Sequence, residues 1–178
     1  MIDKKMKKER FFENFILGVT EGEIPIEDRT MNIAAVHKLA SSAVLEIKII
    51  SRCLNHQIFD RSDIVEAFSK FIRKNRNASV RIILFDNTNV IKDGHRLINL
   101  ADRVPSKIAI RKFPKQYAYY NESLVTVDGK GFIHNPQSDR YEGSVSFSNH
   151  IRCAELDKIF TDHWHQSETS PDLRRVSI

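Results

Sequence analysis

The stretch that decides the fold is YNESLVTVDGKGFIHN, at residues 120–135. Glu122–Val127 and Gly131–His134 are rich in β-branched and aromatic residues, which is typical of strands. Asp128-Gly129 stands between them, and an Asp-Gly pair favours a tight hairpin turn. The stretch therefore predicts two antiparallel strands joined by a short loop.

Upstream of the hairpin, strand and helix patterns alternate. Apolar and β-branched runs predict strands over residues 44–50, 80–85 and 107–111. Apolar periodicity and capping residues predict helices over 32–43, from 60 or 62 to 75, and up to about 103. Strands that are joined by helices are parallel, with right-handed crossovers.

Downstream of the hairpin, residues 143–147 are predicted to form a last strand, and Asn149 is expected to cap a helix that ends at Trp164. The core face of this helix is predicted to be Cys153, Leu156, Ile159, Phe160 and Trp164. Parallel strands together with a hairpin give an α/β domain, with a mixed sheet and helices on both faces.

The first thirty residues are expected to form a separate unit. One helical face would carry Phe11, Phe12, Phe15, Ile16 and Val19. Residues 22–30 are predicted to be a linker, because they include Gly22 and Pro25. The predicted organisation is an N-terminal amphipathic helix and linker over 1–30, the α/β domain over 31–166, and a C-terminal tail over 167–178.

Composition bounds the class of protein. The chain has 178 residues, 41% of them hydrophobic, which suits one domain with a sizeable core. No apolar run reaches the roughly 18 residues of a membrane-spanning helix, and the start has no signal-peptide pattern. We therefore expect a cytoplasmic protein in which Cys53 and Cys153 are reduced and partly buried.

The net charge of +5 is unevenly distributed. Residues 1–10 contain five basic and two acidic side chains, a net charge of +3, so the rest of the chain carries only +2. A basic arm on a nearly neutral body differs from the basic face of a dedicated nucleic-acid module. A solvated helix start explains the arm more simply.

Asn121, Ser123 and Asp128 follow the spacing N-x-S-x4-D, which is the spacing of the H-x-K-x4-D (HKD) signature of the phospholipase D superfamily. From about Asn32 to Trp164, three-quarters of the chain, the sequence resembles one half of a phospholipase D fold. More closely, it resembles an uncharacterised bacterial family of phospholipase-D-like domains that lack the HKD motif. The resemblance is carried by ISRCLNHQIFDRSDIVEA, VRIILFDNTNVIKDGHRLINLADR, ESLVTVDGKGFIHNPQSDRYEG and IFTDHW.

The resemblance implies that the reactive groups of the superfamily are replaced here. Its His attacks phosphorus, a second His protonates the leaving group, and its Lys and Asn hold phosphate oxygens. Asn121 has no basic nitrogen and Ser123 has no charge, so neither fills these roles. Asp128, without the Lys, is expected to cap the turn at residues 128–129. The Gly-Ser-x-Asn of active members is matched by residues 135–138, which read NPQS. An enzyme using this mechanism is therefore not expected.

Other basic residues lie beyond the ends of the predicted parallel strands. His56 and Arg61 follow the first strand, and His95 and Arg96 follow the second. Open α/β sheets bind ligands outside the carboxyl ends of their strands. The ligand-binding candidates are therefore His56, Arg61, His95, Arg96, Asn121, Ser123 and Asp128.

A simpler alternative exists for the histidines and arginines. The histidines can hydrogen-bond loop carbonyls, while the arginines pair with Asp60, Asp63 or Asp93.

A second cluster could stack on bases, since tyrosines and cations lie close together before the hairpin. Its members are Arg111, Lys112, Lys115, Tyr117, Tyr119 and Tyr120. Its alternative is an edge loop whose tyrosines pack on the sheet.

No metal or cofactor is expected from the sequence. His, Cys, Asp and Glu residues do not stand at the spacing of zinc or calcium ligands. The phosphate-cradling patterns GxxxxGK[ST] and GxGxxG are also missing from the sequence.

Two functions remain open. The first is a catalytically degenerate phospholipase-D-like module that binds a phosphate-bearing ligand, with nucleic acid as the main candidate. The alternative is a residual or repurposed phosphodiesterase that uses His56 or His95, oriented by Asp60, Asp86 or Asp93.

A homodimer is the expected assembly, because active phospholipase D proteins place two half-domains about a two-fold axis and this chain has one half. The 117–121 loop and the N-terminal helix are the candidate interface. In the rival interpretation the N-terminal helix covers the exposed face of a monomer. That helix could also dock a protein partner, or contact an anionic membrane through Lys4, Lys5, Lys7 and Lys8.

Overall fold

The fold is built on one mixed sheet. The computed structural model of the chain describes residues 8, 10–86, 88–114 and 120–169, without the side chains of residues 89–91. Within these residues the strands are β1 (Glu23–Ile26), β2 (Glu46–Ser51), β3 (Ser79–Leu84), β4 (Ile108–Lys112), β5 (Ser123–Val127), β6 (Gly131–Asn135) and β7 (Gly143–Ser146). The helices there are α1 (Arg29–Ser42), α2 (His56–Phe59), α3 (Ser62–Lys74), α4 (Thr88–Asp93), α5 (Arg96–Arg103) and α6 (His150–Gln166).

The order of the strands across the sheet is β1-β7-β6-β5-β2-β3-β4. Strands β2, β3 and β4 pair in parallel, whereas β5, β6, β7 and β1 add antiparallel strands on the other side of β2. Helices α1, α3 and α5 pack on one face, and α6 packs on the other. The expected α/β fold with a mixed sheet and helices on both faces is confirmed.

The central strand β2 shows how the sequence builds two cores. Ile47 and Ile49 point into the larger apolar core, which contains α1, α3 and α5. Ile50 points the other way, into a smaller core with Leu156 and Phe160 of α6. Each such isoleucine contributes roughly 1.5–3 kcal/mol when fully buried. Strand β2 therefore reads as an almost continuous apolar run because both of its faces are covered.

The N-terminal helix expected over Phe11–Val19 is wrong. Residues 10–20 follow a series of turns, and Gly18 adopts a left-handed φ of 82° that ends any helical run. The Gly18 N–H donates to the carbonyl of Phe147, directly after β7. Phe12 is only 1% exposed, and its ring packs 5.5 Å from that of Phe147. Burial of this aromatic ring against the sheet outweighs the local helical pattern.

The segment predicted to be a linker contains the edge strand β1. Ile24 and Pro25 pair with Val145 and Ser144 of β7. Proline lacks an N–H and is therefore tolerated on an edge strand, where one side of the strand needs no partner. The linker assignment of residues 22–30 is thus wrong for residues 23–26, which belong to the sheet.

The hairpin predicted around Asp128 forms, and Val127 lies opposite Gly131. The sequence suggested that the carboxylate of Asp128 caps its own turn, but the carboxylate contacts another part of the chain. It accepts three hydrogen bonds of 2.8 Å from the backbone N–H groups of Val44, Leu45 and Glu46. Asp128 therefore holds the beginning of β2, at the end of the sheet where the parallel strands start.

Both cysteines are free thiols. Cys153 is buried beneath α6, and burial, with a smaller effect of Asp157, raises the pKa of its thiol to about 12. Cys53 is half-buried after β2, and burial raises its pKa as well. Both groups are therefore protonated and weakly nucleophilic at neutral pH.

Candidate functional site

The candidate site lies at the edge where β2, β3 and β4 end, here called the carboxyl edge. Strand β5 begins there and β6 ends there, since Ser123 pairs with Asn135. Helices α1, α3 and α5 also begin at this edge, because they run antiparallel to the parallel strands they connect. The topology therefore gathers strand ends and helix N-termini in one place, as open α/β sheets commonly do.

The three motif residues do not meet at this edge. Asn121 and Ser123 lie at the start of β5, whereas Asp128 lies at the opposite edge, beside the start of β2. The Asn121 side-chain oxygen accepts a 2.7 Å hydrogen bond from the Ser138 hydroxyl, and its backbone carbonyl accepts one from the Ser138 N–H. Asn121 is therefore engaged by the loop after β6.

A small enclosed cavity lies beside Ser123. Its volume is about 30 Å³, and its polar lining includes Ser51, Asn135, Ser138 and Tyr141. A cavity of that size holds roughly one or two water molecules.

The cavity is closed by residues 136–142, here called the closing loop. The Asn135 side-chain amide donates to the carbonyls of Tyr141 and Glu142, at 3.1 Å each. The Asn32 amide donates to the same Tyr141 carbonyl at 2.9 Å, and the Tyr141 hydroxyl donates to Gln57. The contacts of Asn32 and Gln57 with Tyr141 span 109 and 84 residues of the chain, so no local sequence pattern predicts them.

His95 is held by the backbone on both sides of its ring. Its Nε2 lies 3.1 Å from the Leu54 carbonyl, and its Nδ1 accepts from the Leu97 N–H at 3.2 Å. Burial lowers the pKa of His95 to about 4, although the charge of Asp60 opposes this shift. His95 is thus neutral at physiological pH, and it contacts a loop carbonyl as the simpler sequence interpretation expected.

His56 lies against His95, with ring centroids 4.9 Å apart. Its Nδ1 is 3.8 Å from a carboxylate oxygen of Asp60, beyond hydrogen-bond distance. Its Nε2 is buried and has no hydrogen-bond partner within the described part of the chain. The structure therefore brings together two of the predicted candidates, His56 and His95, beside Asp60.

The two predicted arginines have acidic neighbours. Arg61 forms a two-pronged ion pair with Asp63, through contacts of 3.0 and 2.8 Å. The Arg96 side chain donates to the Asp60 backbone carbonyl, and its N–H donates to the Asp60 carboxylate. Both arginines are exposed, so they remain accessible to a ligand.

Exposed arginines surround the carboxyl edge. Arg29 is the first residue of α1, Arg61 directly precedes α3, and Arg96 is the first residue of α5. Two further exposed arginines lie in loops that follow β2 and β6. We call this set the arginine rim: Arg29, Arg52, Arg61, Arg96 and Arg140. Arg29 was missed by the sequence analysis, although an arginine directly after the capping Asp28 is visible in the sequence.

The predicted tyrosine cluster is packed where the structure describes it. The Tyr120 ring stacks on Phe85 at 5.0 Å, and burial raises the pKa of its hydroxyl. Arg111 lies over the Trp164 ring at 4.3 Å. Lys112 pairs through its backbone with Glu168. This favours the packed alternative for Tyr120, while Lys115, Tyr117 and Tyr119 lie outside the described residues.

The structure brings together three side chains that could bind a metal ion, although the sequence spacing predicts no metal site. His56, Asp60 and His95 place one possible ligand atom each within 4.8 Å of one another. Local spacing could not show this, because His95 comes from a different loop.

The family model "Domain of unknown function (DUF7931)" matches residues 28–176. The chain belongs to the DUF7931 family.

Solved structures place the family fold among known architectures. TrmBL2, an archaeal chromatin protein described as showing a novel mode of DNA binding, matches with a TM-score of 0.61 and 17% identity. That match covers 95% of this chain but 63% of TrmBL2, so this chain spans less than two thirds of that protein.

Two bacterial structures match as well. Nuc from Salmonella typhimurium, a phospholipase D family member, gives a TM-score of 0.54 at 16% identity, covering 76% of this chain and 88% of Nuc. NucT from Helicobacter pylori gives 0.55 at 14% identity, covering 84% and 99%. The phospholipase-D-like fold is therefore confirmed.

No curated protein matches the chain in sequence. Within the described residues, no helix has the length and apolar character needed to cross a membrane.

Proposed function

We propose that this chain is a catalytically inactive phospholipase-D-like module that binds nucleic acid through the arginine rim. The supporting observation is that α1, α3 and α5 start at one edge with Arg29, Arg61 and Arg96. The N-terminus of a helix is its positive end, where a cation costs about 0.3–1 kcal/mol. Helix N-termini disfavour cations, yet three helices at this edge begin with or beside an arginine. Such an unfavourable arrangement is expected where the charges serve binding.

The arginines also suit the ligand chemically. A guanidinium group presents several N–H donors in a plane that matches two oxygens of a phosphate. Helix N-termini add unpaired backbone N–H groups that favour anions. The likeness to TrmBL2, described as binding DNA, supports nucleic acid over a small phosphate-bearing molecule. The rim is open to solvent, so a polymer can lie across it.

Lack of catalysis follows from the positions that match the HKD motif. Asn121 has no basic nitrogen, and its side-chain oxygen already accepts from Ser138. Ser123, which borders the small cavity, is uncharged and cannot supply the positive charge that a Lys gives to a phosphate group. A phosphodiester bound at the rim would therefore find neither a nucleophile nor a cation at these positions.

The alternative, a repurposed phosphodiesterase, has weaker support. Both ring nitrogens of His95 are engaged by the backbone groups of Leu54 and Leu97. The carboxylate of Asp60 lies 3.8 Å from each histidine and orients neither through a hydrogen bond. A histidine base needs such an orienting partner, so the inactive module is favoured.

Fluorescence-anisotropy titrations with single- and double-stranded oligonucleotides at two salt concentrations test the binding. We expect the triple variant Arg29→Gln/Arg61→Gln/Arg96→Gln to weaken binding by at least about tenfold. The dependence of the logarithm of affinity on the logarithm of salt concentration should also fall by about one unit for each lost phosphate contact. The same reactions, resolved on a gel, should show intact oligonucleotide.

The matched control removes three charges at the opposite edge. Arg73, Lys74 and Arg76 are exposed at the end of α3 and just beyond it. Substituting all three with Gln lowers the net charge equally but leaves the rim intact. The proposed surface would be contradicted if both triple variants weakened oligonucleotide binding equally, or if the affinity did not change with salt concentration. Cleavage that His56→Ala abolishes would favour the phosphodiesterase.

We also infer that the chain associates as a homodimer, on the ground that a phospholipase-D-like half has a two-fold partner. Phe12 and Phe15 pack within the chain, so the interface must use other residues. Phe11, Ile16 and Val19 are exposed and lie next to that cluster. Light scattering after size exclusion should give twice 20.6 kDa. A mass of 20.6 kDa at tens of micromolar protein would contradict the dimer and favour a monomer whose N-terminal segment covers its own core.

A further inference from the structure

Two imidazoles and one carboxylate converge between α2 and α5. Asp60 Oδ2 lies 3.8 Å from His56 Nδ1, and Asp60 Oδ1 lies 3.8 Å from His95 Nδ1. His56 and Asp60 are about one helical turn apart, so their side chains share one side of α2. His95 comes from the loop before α5 and is 2% exposed. One carboxylate therefore faces two imidazoles.

The groups behind these side chains orient them as ligands. His95 Nε2 faces the Leu54 carbonyl at 3.1 Å, so this nitrogen carries the proton and Nδ1 keeps its lone pair. The Asp60 oxygen Oδ1 accepts from the Arg96 N–H at 2.6 Å. Histidines and carboxylates that bind metals are commonly held from behind by such hydrogen bonds.

The carbonyl that orients His95 is itself held in an unusual conformation. Leu54 has a φ of 49°, a left-handed value that leucine rarely adopts, and its side chain is fully buried. The Leu54 N–H donates to the Ser51 hydroxyl at 3.0 Å, which fixes this turn after β2. Strained backbone of this kind is concentrated at functional sites.

His56 leaves its ring nitrogens available. Nε2 is buried without a partner within the described part of the chain, and Nδ1 has the 3.8 Å contact to Asp60, which is too long for a hydrogen bond. Nδ1, which faces Asp60 without a hydrogen bond, is therefore the nitrogen that an ion between these groups would contact.

We propose that His56, Asp60 and His95 bind a divalent transition-metal ion, with Zn²⁺ as the expected occupant. Two imidazoles and a carboxylate are ligands that Zn²⁺ accepts at about 2.0–2.2 Å, with a fourth position for water. Mg²⁺ and Ca²⁺ prefer sites built from oxygen alone. The site is distinct from the positions that match the HKD motif.

Small movements complete the site. Ligand atoms around a tetrahedral ion with bonds of about 2.1 Å lie roughly 3.4 Å apart. The two separations of 3.8 Å from Asp60 must therefore shrink by a few tenths of an ångström, and the separation of the two histidine nitrogens, which lies within 4.8 Å, by up to roughly 1.4 Å. The side chains of His56 and Asp60 are 34% and 28% exposed, so both can rotate and an ion can enter. His95 gives up only the 3.2 Å contact with the Leu97 N–H.

Metal binding to the full-length protein, freed of metal with a chelator, tests the site. We expect one Co²⁺ per chain, with the visible absorption bands of a four-coordinate nitrogen and oxygen site, and displacement of Co²⁺ by Zn²⁺. His56→Ala should weaken Zn²⁺ binding by at least about tenfold, because it removes one of three protein ligands. Asp60→Asn should weaken it too while keeping an oxygen to accept from Arg96.

The control is His134→Ala. His134 is partly buried and pairs with the exposed side chain of Glu122 at 2.8 Å, so it tests whether any histidine and carboxylate pair binds the ion. Less than one ion per chain, or binding that His56→Ala leaves unchanged, would mean an adventitious ion only and would overturn the proposal. The measurement needs no oligonucleotide, so its outcome does not depend on the nucleic-acid function. His56→Ala also avoids the buried His95, whose substitution could unfold the protein.

Discussion

Replacing Phe12 with alanine lowers the free energy of unfolding by about 3 kcal/mol, the lower end of the range for a buried phenylalanine. The ring is 1% exposed and lies 5.5 Å from Phe147 and 5.3 Å from Phe15, centroid to centroid. Its removal leaves a cavity between the N-terminal turns and the end of β7. Urea denaturation followed by circular dichroism measures the change as a lower midpoint with an unchanged slope.

Phe11 provides the matched control. It is the neighbouring residue of the same type, but 48% of it is exposed. Phe11→Ala should cost less than about 1 kcal/mol, since little apolar area returns to water. Similar losses for the two variants would mean that the N-terminal segment does not pack on the sheet. The stability losses of Phe12→Ala and Phe11→Ala are expected to differ because the N-terminal turns, which replace the amphipathic helix that the sequence pattern favours, bury Phe12 and leave Phe11 exposed.

Replacing Lys48 with methionine is expected to lower the free energy of unfolding by about 3 kcal/mol, because the partly exposed carboxylates of Glu46 and Asp157 each lose a charged hydrogen-bond partner. Lys48 is 8% exposed beneath α6, with its ammonium 2.6 Å from Glu46 and 3.0 Å from Asp157. Methionine fills the space but leaves both carboxylates without this cation. For a chain of this size the melting temperature should fall by roughly 6–12 °C, measured by differential scanning calorimetry.

A second substitution should restore part of this loss. In Lys48→Met/Asp157→Asn the stranded carboxylate becomes a neutral amide, whose oxygen can still accept from the Thr126 hydroxyl. The exposed pair Lys70–Glu66 serves as the control, and Lys70→Met should change stability by less than about 0.5 kcal/mol. If Lys48→Met costs no more than Lys70→Met, the buried network does not stabilise the sheet.

The loss in Lys48→Met should also depend on pH. Burial alone would raise the pKa of Glu46, but hydrogen bonds and charge from Lys48 and Arg81 hold it below the ordinary value of 4.5. A carboxyl with a lowered pKa stabilises the fold above the unfolded value and loses that contribution as pH falls through its folded value. The difference between the wild type and Lys48→Met should therefore be largest near neutral pH and shrink below about pH 4.5.

Local patterns were sufficient for most of the secondary structure. The hairpin at Asp128-Gly129, the buried strands β2 and β3, and the helix after Asn149 follow from apolar periodicity and from turn and capping residues. These signals lie within a few residues of the elements that they predict. The mixed sheet then followed from the order of the elements.

Elements whose stability comes from distant partners were not predicted. Strand β1 contains Pro25 and forms because β7 supplies its hydrogen bonds. The turns after Arg10 replace a helix because Phe12 gains more by packing on Phe147 than by continuing a helical face. Asp128 binds the N–H groups of residues 44–46, and no local spacing connects these two parts of the chain.

The candidate site divides in the same way. The sequence by itself determined that His56, Arg61, His95 and Arg96 follow parallel strands, and strand direction brings such residues to one edge. Only the tertiary structure decided which of them touch. It set Asp60 between two histidines, tied Asn121 to Ser138, and closed the pocket with Asn32 and Asn135. Some of these contacts join residues far apart along the chain, such as Asn32 and Tyr141, and all of them depend on packing distances of a few ångströms that no local pattern in the sequence contains.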